Sequence, residues 1–201
     1  MKIVIPGGSG QVGTILARAF HGSVEEVVVL SRRPGPQPWR VVAWDGATPG
    51  AWQREIDGCH TVINLAGRSV NCRYTPRHRQ EILDSRVLST RVVGQAIAGA
   101  ASPPRVWLQA STATIYAHRY DAPNDERSGI LGGHEPGAPD TWRFSIDVAR
   151  AWERTFDEAI CPGTRKVALR SAMPLSPDPG GVFDTLLGLA RRGLGGRAGD
   201  G

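Results

Sequence analysis

Nine residues near the start of the chain, Ile5-Pro6-Gly7-Gly8-Ser9-Gly10-Gln11-Val12-Gly13, leave it few ways to fold. Lys2-Ile3-Val4-Ile5 before them is a short β-branched run. After them an apolar stripe at Val12, Ile15, Leu16, Ala19 and Phe20 recurs at helical spacing. The segment therefore reads as strand, turn and amphipathic helix. Gly7, Gly10 and Gly13 fit G-x-x-G-x-x-G, in which the first glycine makes the tight turn, the second lets the backbone approach a pyrophosphate, and the third lets helix and strand pack closely. The helix start then offers unpaired amides and the positive end of its dipole to that anion. Gly7, Gly10, Gln11, Val12 and Gly13 are thus candidate dinucleotide contacts. Glycine is abundant, 25 of 201 residues, and many serve plain turns. The placement between strand and helix favours the dinucleotide reading, and the lack of a following Gly-Lys-Ser/Thr argues against a P-loop.

The rest of the chain alternates strands and helices, as a parallel sheet covered on both faces requires. Strands are expected at Val24–Leu30, Val41–Trp44, Thr61–Ala66, Arg105–Ala110 and Lys166–Arg170. A weak helix is expected over Ala51–Ile56, and a long one from about Pro76 to Ala98 with Leu88, Val92, Val93, Ala96 and Ile97 on one face. Another carries Phe144, Val148, Ala151, Trp152 and Phe156, with Asp147, Arg150, Arg154 and Asp157 turned outward. Tyr116–Thr141, rich in Gly, Pro, Asp and Asn, reads as a long surface loop. The expected fold is α/β: a doubly wound, Rossmann-type parallel sheet forming one NAD(P)-binding domain over residues 1–201.

The end of the second strand bears on which dinucleotide fits. NAD enzymes commonly place an acidic residue there to hold the ribose 2′-hydroxyl. Here the chain reads Leu30-Ser31-Arg32-Arg33-Pro34. A hydroxyl and two guanidiniums suit a 2′-phosphate, so NADP is favoured over NAD, with Ser31, Arg32 and Arg33 as candidate contacts. The competing reading is a solvated loop charge.

Composition excludes several classes. With 40% apolar and 21% charged residues the chain has ordinary globular composition. No apolar run approaches a membrane span, and the first apolar run breaks at Pro6-Gly7-Gly8 before a signal-peptide core forms, so a cytoplasmic protein is expected. Cys59, Cys72 and Cys161 are scattered without a CxxC, as free thiols would be. The net charge of +5 comes almost entirely from arginine, spread along the chain without a recognisable nucleic-acid motif, so no nucleic-acid partner is expected. His21, His60, His78, His118 and His134 never fall at ligand spacing, and no metal is expected. Arg68, Arg73, Arg77, His78 and Arg79 cluster after the fourth strand. They either steer anions or form a solvated face balanced by Glu81 and Asp84.

Taken together, GGSGQVG (7–13), SRRPG (31–35), INLAG (63–67), DSRVLST (84–90), AST followed by IY (110–112 and 115–116), Trp152-Glu153 and GLGGRAGDG (193–201) resemble the atypical extended short-chain dehydrogenase/reductases, and within them the nucleoside-diphosphate-sugar epimerase-like group of NAD-dependent epimerases/dehydratases. The resemblance covers essentially the whole chain. It implies a Rossmann fold binding NADP through Ser31 and Arg32, the strand-end residues Leu65, Ala66 and Gly67, and Glu81 and Arg86 on the long helix, with Met173-Pro174 by the nicotinamide. It also implies an oxidoreductase or epimerase acting on a small-molecule substrate, anionic or nucleotide-linked.

Two departures stand out. Short-chain dehydrogenases usually carry a Tyr with a Lys four residues later, the cation lowering the phenol pKa so that Tyr can shuttle a proton. Here the only tyrosines are Tyr74, Tyr116 and Tyr120, followed at that spacing by His78, Tyr120 and Asn124. The helix that should carry the pair offers Phe144 and Val148. Substitute candidates are Ser111, matching the serine the superfamily uses on a substrate oxygen, and Tyr116 just beyond it. Their structural alternatives are a strand-end cap and a ring closing a loop. The second departure is length, since relatives continue into a substrate-binding part that would lie largely after residue 201. The missing Tyr/Lys pair leaves a module that binds or senses NADP(H) without turnover as the alternative function.

Overall fold

The computed structural model describes residues 1–133 and 135–197. His134 and the last part of the Gly193–Gly201 stretch, residues 198–201, lie outside the described residues.

Six strands, β1 (Lys2–Pro6), β2 (Glu26–Ser31), β3 (Arg40–Ala43), β4 (Thr61–Asn64), β5 (Val106–Thr112) and β6 (Arg165–Ser171), form one sheet in the order β3-β2-β1-β4-β5-β6. Every pairing is parallel. The helices are α1 (Gln11–Phe20), α2 (Pro76–Ala98), α3 (Asp140–Asp157) and α4 (Val182–Arg191), and Ala51–Glu55 is a short 3-10 turn. This is the doubly wound Rossmann-type sheet. The strand order reverses between β1 and β4, and there the crevice at the carboxyl edge opens.

Alternation along the strands splits the core in two. Ile3, Ile5, Val27, Val29 and Ile63 meet Ala17, Leu16 and Phe20 of α1 on one face. Val4, Val28, Leu30, Val62 and Trp107 meet Val92, Val93, Ala96, Ile97 and Phe156 of α2 and α3 on the other. Trp107 is fully buried and stands edge-on to Phe156 at 4.7 Å. Deleting such a ring would cost about 3–5 kcal/mol. Helix α2 starts where Thr75 caps His78 N–H at 3.2 Å with Pro76 in the first turn, a start that proline's fixed φ favours. A buried bond from Trp152 Nε1 to Thr90 Oγ1 (2.9 Å) ties α3 to α2.

The differences from expectation are local. β4 stops at Asn64: Leu65 N–H makes one more bond to the Pro6 carbonyl, and the Asn64 side chain then takes up Ala66 N–H. Tyr116–Thr141 is more than a surface loop. Tyr116 bridges to Leu131, Asn124 donates to the Ala117 carbonyl, and Arg150, expected to face outward, donates to the Gly132 carbonyl. Helix α4 was not anticipated from the sequence. It buries none of its residues and leaves Phe183, Leu186 and Leu189 exposed, so its pattern has no core to register against. Among the described residues no helix is long and apolar enough to cross a membrane. Among the described residues no group of three His, Cys, Asp or Glu side chains could hold a metal ion.

Candidate functional site

Two neighbouring regions line the carboxyl edge of the sheet. The first is a cleft of about 340 Å³ bounded by Gly7, Ser9, Gly10, Ser31, Arg32, Leu65, Ala66 and Gly67. Backbone builds its floor. Gly7 has φ +73°, and a Cβ there would lie 2.6 Å from Ala66 Cα, so the first turn presses directly on the chain leaving β4. A Cβ on Gly13 would lie 2.3 Å from Gly8 Cα. Only glycine allows either approach. Helix α1 begins at Gly10 with no side-chain cap and no acidic residue in its first turn, leaving its first amides and dipole to whatever anion enters.

The side of the cleft is fixed by a buried amide pair. Asn64 Nδ2 donates to Gln109 Oε1 at 2.9 Å while Asn64 Oδ1 accepts Ala66 N–H at 3.1 Å, which sets the Leu65-Ala66 turn. Ser85 Oγ accepts Arg68 N–H at 2.9 Å and anchors the next residues to α2.

At the far end Ser31 is buried and Arg32 exposed. Ser31 Oγ accepts Arg33 N–H at 3.1 Å and lies 3.1 Å from Ser9 Oγ, so its hydroxyl organises the turn after β2 and ties it to the glycine loop. Arg33 is exposed and does not line the cleft. Trp44, Asp45, Gly46 and Ala47 after β3 do, and the sequence reading missed them. The available signal was register: β3 pairs with β2 from Val28–Arg40 to Ser31–Ala43, which carries its end to the same crevice. Asp45 is spent locally. The Thr48 hydroxyl and the Ala47 and Thr48 amides bond it and hold its carboxyl below the usual range.

Other candidate residues fall outside this cleft. Val12 and Gly13 lie within the first turn of α1. Gln11 Nε2 donates to the Asp178 carbonyl at 3.1 Å, and Arg18 pairs with Asp178 at 3.2 Å, pinning the segment after β6 against α1. Met173 and Pro174 are exposed at the start of that segment. Glu81 pairs with Arg68 (2.9 Å) and Arg77 (2.8 Å). Arg79 pairs with Asp140. Much of the basic cluster is thus balanced by carboxylates, although Arg68 also lines the cleft. Arg86 lines the adjoining cavity rather than the cleft.

The second region is built from side chains brought from β5, α3, β6 and the turn after β5. Ser111 Oγ donates to Glu153 Oε1 at 2.5 Å. Arg170 grips the same carboxylate with Nε (2.9 Å) and Nη2 (2.7 Å), and its Nη1 donates to Tyr116 Oη at 2.8 Å. Burial pushes the Glu153 carboxyl up, but the bonds from Arg170 and Ser111 and the Arg170 charge more than offset it, leaving the carboxyl below its ordinary range. The Glu153 bond is the main reason Arg170 is held more firmly protonated. Because Ser111 gives its proton to Glu153, its oxygen faces outward only as an acceptor. Tyr116 accepts from Arg170 and so keeps its own proton to donate. Sequence reasoning placed Ser111 and Tyr116 here but without Glu153 or Arg170. The available signals were a cation at the end of a parallel strand and the Trp152-Glu153 pair.

Phe144 and Val148, at the spacing of the missing Tyr and Lys, line a cavity with Ser111. Phe144 stands edge-on to Tyr74 at 5.4 Å, with the Arg79 guanidinium 4.8 Å above it. These are packing roles.

The profile of the NAD dependent epimerase/dehydratase family matches residues 3–135, across β1 to β5 and the glycine turn. The chain belongs to that family. Among curated relatives, the bovine epimerase family protein SDR39U1 is 32% identical over the whole chain and the human protein 30%. A Staphylococcus aureus epimerase family protein is 28% identical over the whole chain. The chain spans 63–64% of the length of these relatives. Human SDR39U1 (isoform 2), solved with NADPH, superimposes with a TM-score of 0.79 at 29% identity, covering 100% of this chain and 63% of that one. The nucleoside-diphosphate sugar epimerase from Corynebacterium glutamicum superimposes at 0.71 with 28% identity, covering 100% and 39%. Epimerase-family architecture therefore accounts for the whole described sheet.

Proposed function

We propose that residues 1–201 form the dinucleotide-binding domain of an NADP(H)-dependent oxidoreductase of the epimerase/dehydratase type, acting on a small molecule. The observation that carries this reading is the cleft itself: an uncapped helix start over a glycine floor at one end, and Ser31-Arg32 with no carboxylate on the β2 turn at the other. The amides at the start of α1 would hold the diphosphate, and Arg32 the 2′-phosphate. Leu65, Ala66 and Gly67 would flank the cofactor where the sheet order reverses, and Trp44 to Ala47 would border its adenosine end. The NADPH in the human relative's structure supports the choice of nucleotide.

A bound NADP(H) would supply hydride-transfer chemistry at its nicotinamide. The chain's own residues handle orientation and protons. Tyr116 offers a donor proton, Ser111 an acceptor oxygen, and the Glu153–Arg170 pair fixes both. With Phe144 and Val148 at the dyad positions, proton transfer falls to Tyr116, whose phenol is held in place by Arg170.

A second reading, a module that senses NADP(H) without turnover, is favoured by the same Phe144 and Val148. Titration with NADPH and NADH tests the shared premise, with tighter NADPH binding expected. Absence of binding by both nucleotides would sink it. Oxidation of bound NADPH by a panel of carbonyl compounds supports the enzyme, whereas tight binding without turnover across the panel supports the sensor.

A further inference from the structure

A separate cavity of about 550 Å³ opens between the turn after β5, the loop that follows it and the start of α3. Thr114 lines both this cavity and the space around Ser111 and Phe144, so the two adjoin. Tyr116, His118 and Trp142 give it aromatic walls, with His118 edge-on to Trp142 at 5.3 Å. The charge on those walls is negative. Arg170 is the one lysine or arginine lining them, and Glu153 neutralises it. Arg119 and Arg127 of the loop do not line the cavity, and Arg119 pairs with Asp121. Asp125 and Glu126 do line it. Asp125 accepts only uncharged donors, the Arg127 and Ser128 amides and the Ser128 hydroxyl, which hold its carboxyl below the usual range without cancelling its charge. Glu126 is exposed and has no hydrogen bond or ion pair among the described residues.

We propose that this cavity receives a small substrate carrying an ammonium group, the cation lying among Asp125, Glu126 and Trp142 and the reacting oxygen at Tyr116. An aromatic face and a carboxylate both attract a cation, whereas a phosphate or carboxylate would meet two negative side chains with no free guanidinium to offset them. Tyr116 accepts from Arg170, so its own proton is left to donate to a carbonyl or hydroxyl oxygen. The volume lies within the range for small-molecule sites. The chain as a whole carries +5, which by itself would draw anions, so a preference for cations would be a property of the cavity. The substrate role rests on the NADP(H) reading of the cleft.

Calorimetry on the full chain, with and without NADPH, tests this with three probes of similar shape: benzylammonium, benzyl alcohol and benzoate. Benzylammonium is expected to bind most tightly, benzyl alcohol about tenfold more weakly and benzoate more weakly still. Combining Asp125→Asn with Glu126→Gln should bring benzylammonium down to the level of benzyl alcohol and leave benzyl alcohol unchanged. Trp142→Leu should weaken benzylammonium by about three- to tenfold. Benzoate binding as tightly as benzylammonium, no binding of benzylammonium in either state, or an undiminished ammonium preference in the double variant overturns the proposal. Should the double variant fail to fold, Glu126→Gln alone, at its exposed position, and the three-probe contrast on the unaltered chain decide. NADPH binding is read on the same samples. Benzylammonium binding that depends on Asp125 and Glu126 while NADPH fails to bind would retain the cation site and reject the cofactor reading.

Discussion

The two ends of the site are made from different materials. Around Gly7 and Gly13 the protein uses backbone: amides, a positive φ and close approaches that a single Cβ would block. Around Ser111 it uses side chains recruited from far apart, with Glu153 42 residues from Ser111 and Arg170 54 residues from Tyr116. A backbone site answers to steric change and is nearly indifferent to the titration of its neighbours. A side-chain site answers to the loss of any one partner, because each leaves another group buried without its bond.

The sharpest way to break this contrast is Gly13→Val. The new side chain would collide with Gly8, and a loss of about 3 kcal/mol in urea unfolding is expected. A wild-type midpoint would show that α1 does not need to pack so close to the turn.

Arg170→Met comes next, with a loss of about 2 kcal/mol at pH 7, because the Arg170 side chain is 27% exposed and Glu153 11%. The pH dependence has a definite sign. Glu153 is held below its ordinary value, so its contribution is complete above about pH 4.3 and fades as pH falls through the lower folded value. Without Arg170, burial dominates and Glu153 protonates at higher pH, so the gap between variant and wild type should narrow on acidification. A gap of constant size from pH 7 to pH 3.5 would place the stabilisation elsewhere.

Arg32→Asp probes the backbone-built end through its one informative side chain. NADPH should weaken by about tenfold or more, the scale of one phosphate bond, with NADH little changed. Equal losses for both nucleotides in a fluorescence titration would reduce the Arg32 segment to a solvated loop. The smallest effect is expected from Ser111→Ala, about 1 kcal/mol of stability, because Arg170 still satisfies Glu153. A loss as large as that of Arg170→Met would make Ser111 the keystone of the network.

Much of this was legible from residues in order. The β-branched run before Gly7, the stripe from Val12 to Phe20 and the long Pro76–Ala98 helix each carry their own period, and the helix α2 covers the expected span. The resemblance to the epimerase-like dehydrogenases rested on motifs of the same local kind. What failed to show was whatever depends on a distant partner. Arg150 turning to Gly132, Trp44 to Ala47 joining the cleft and α4 lying exposed have no signature within a few residues.

By itself the sequence determined the alternation of strands and helices, the glycine turn that brings α1 to the crevice, and the arginines after β2, because strand period, helix period and turn chemistry act over spans of a few residues. Only the tertiary structure decided that Ser111 would give its proton to Glu153, that Arg170 would hold both Glu153 and Tyr116, and that Arg86 would donate to the Arg68 and Ile82 carbonyls. Those outcomes follow from which strands lie side by side, and the parallel order β1-β4-β5-β6 sets that across the whole chain.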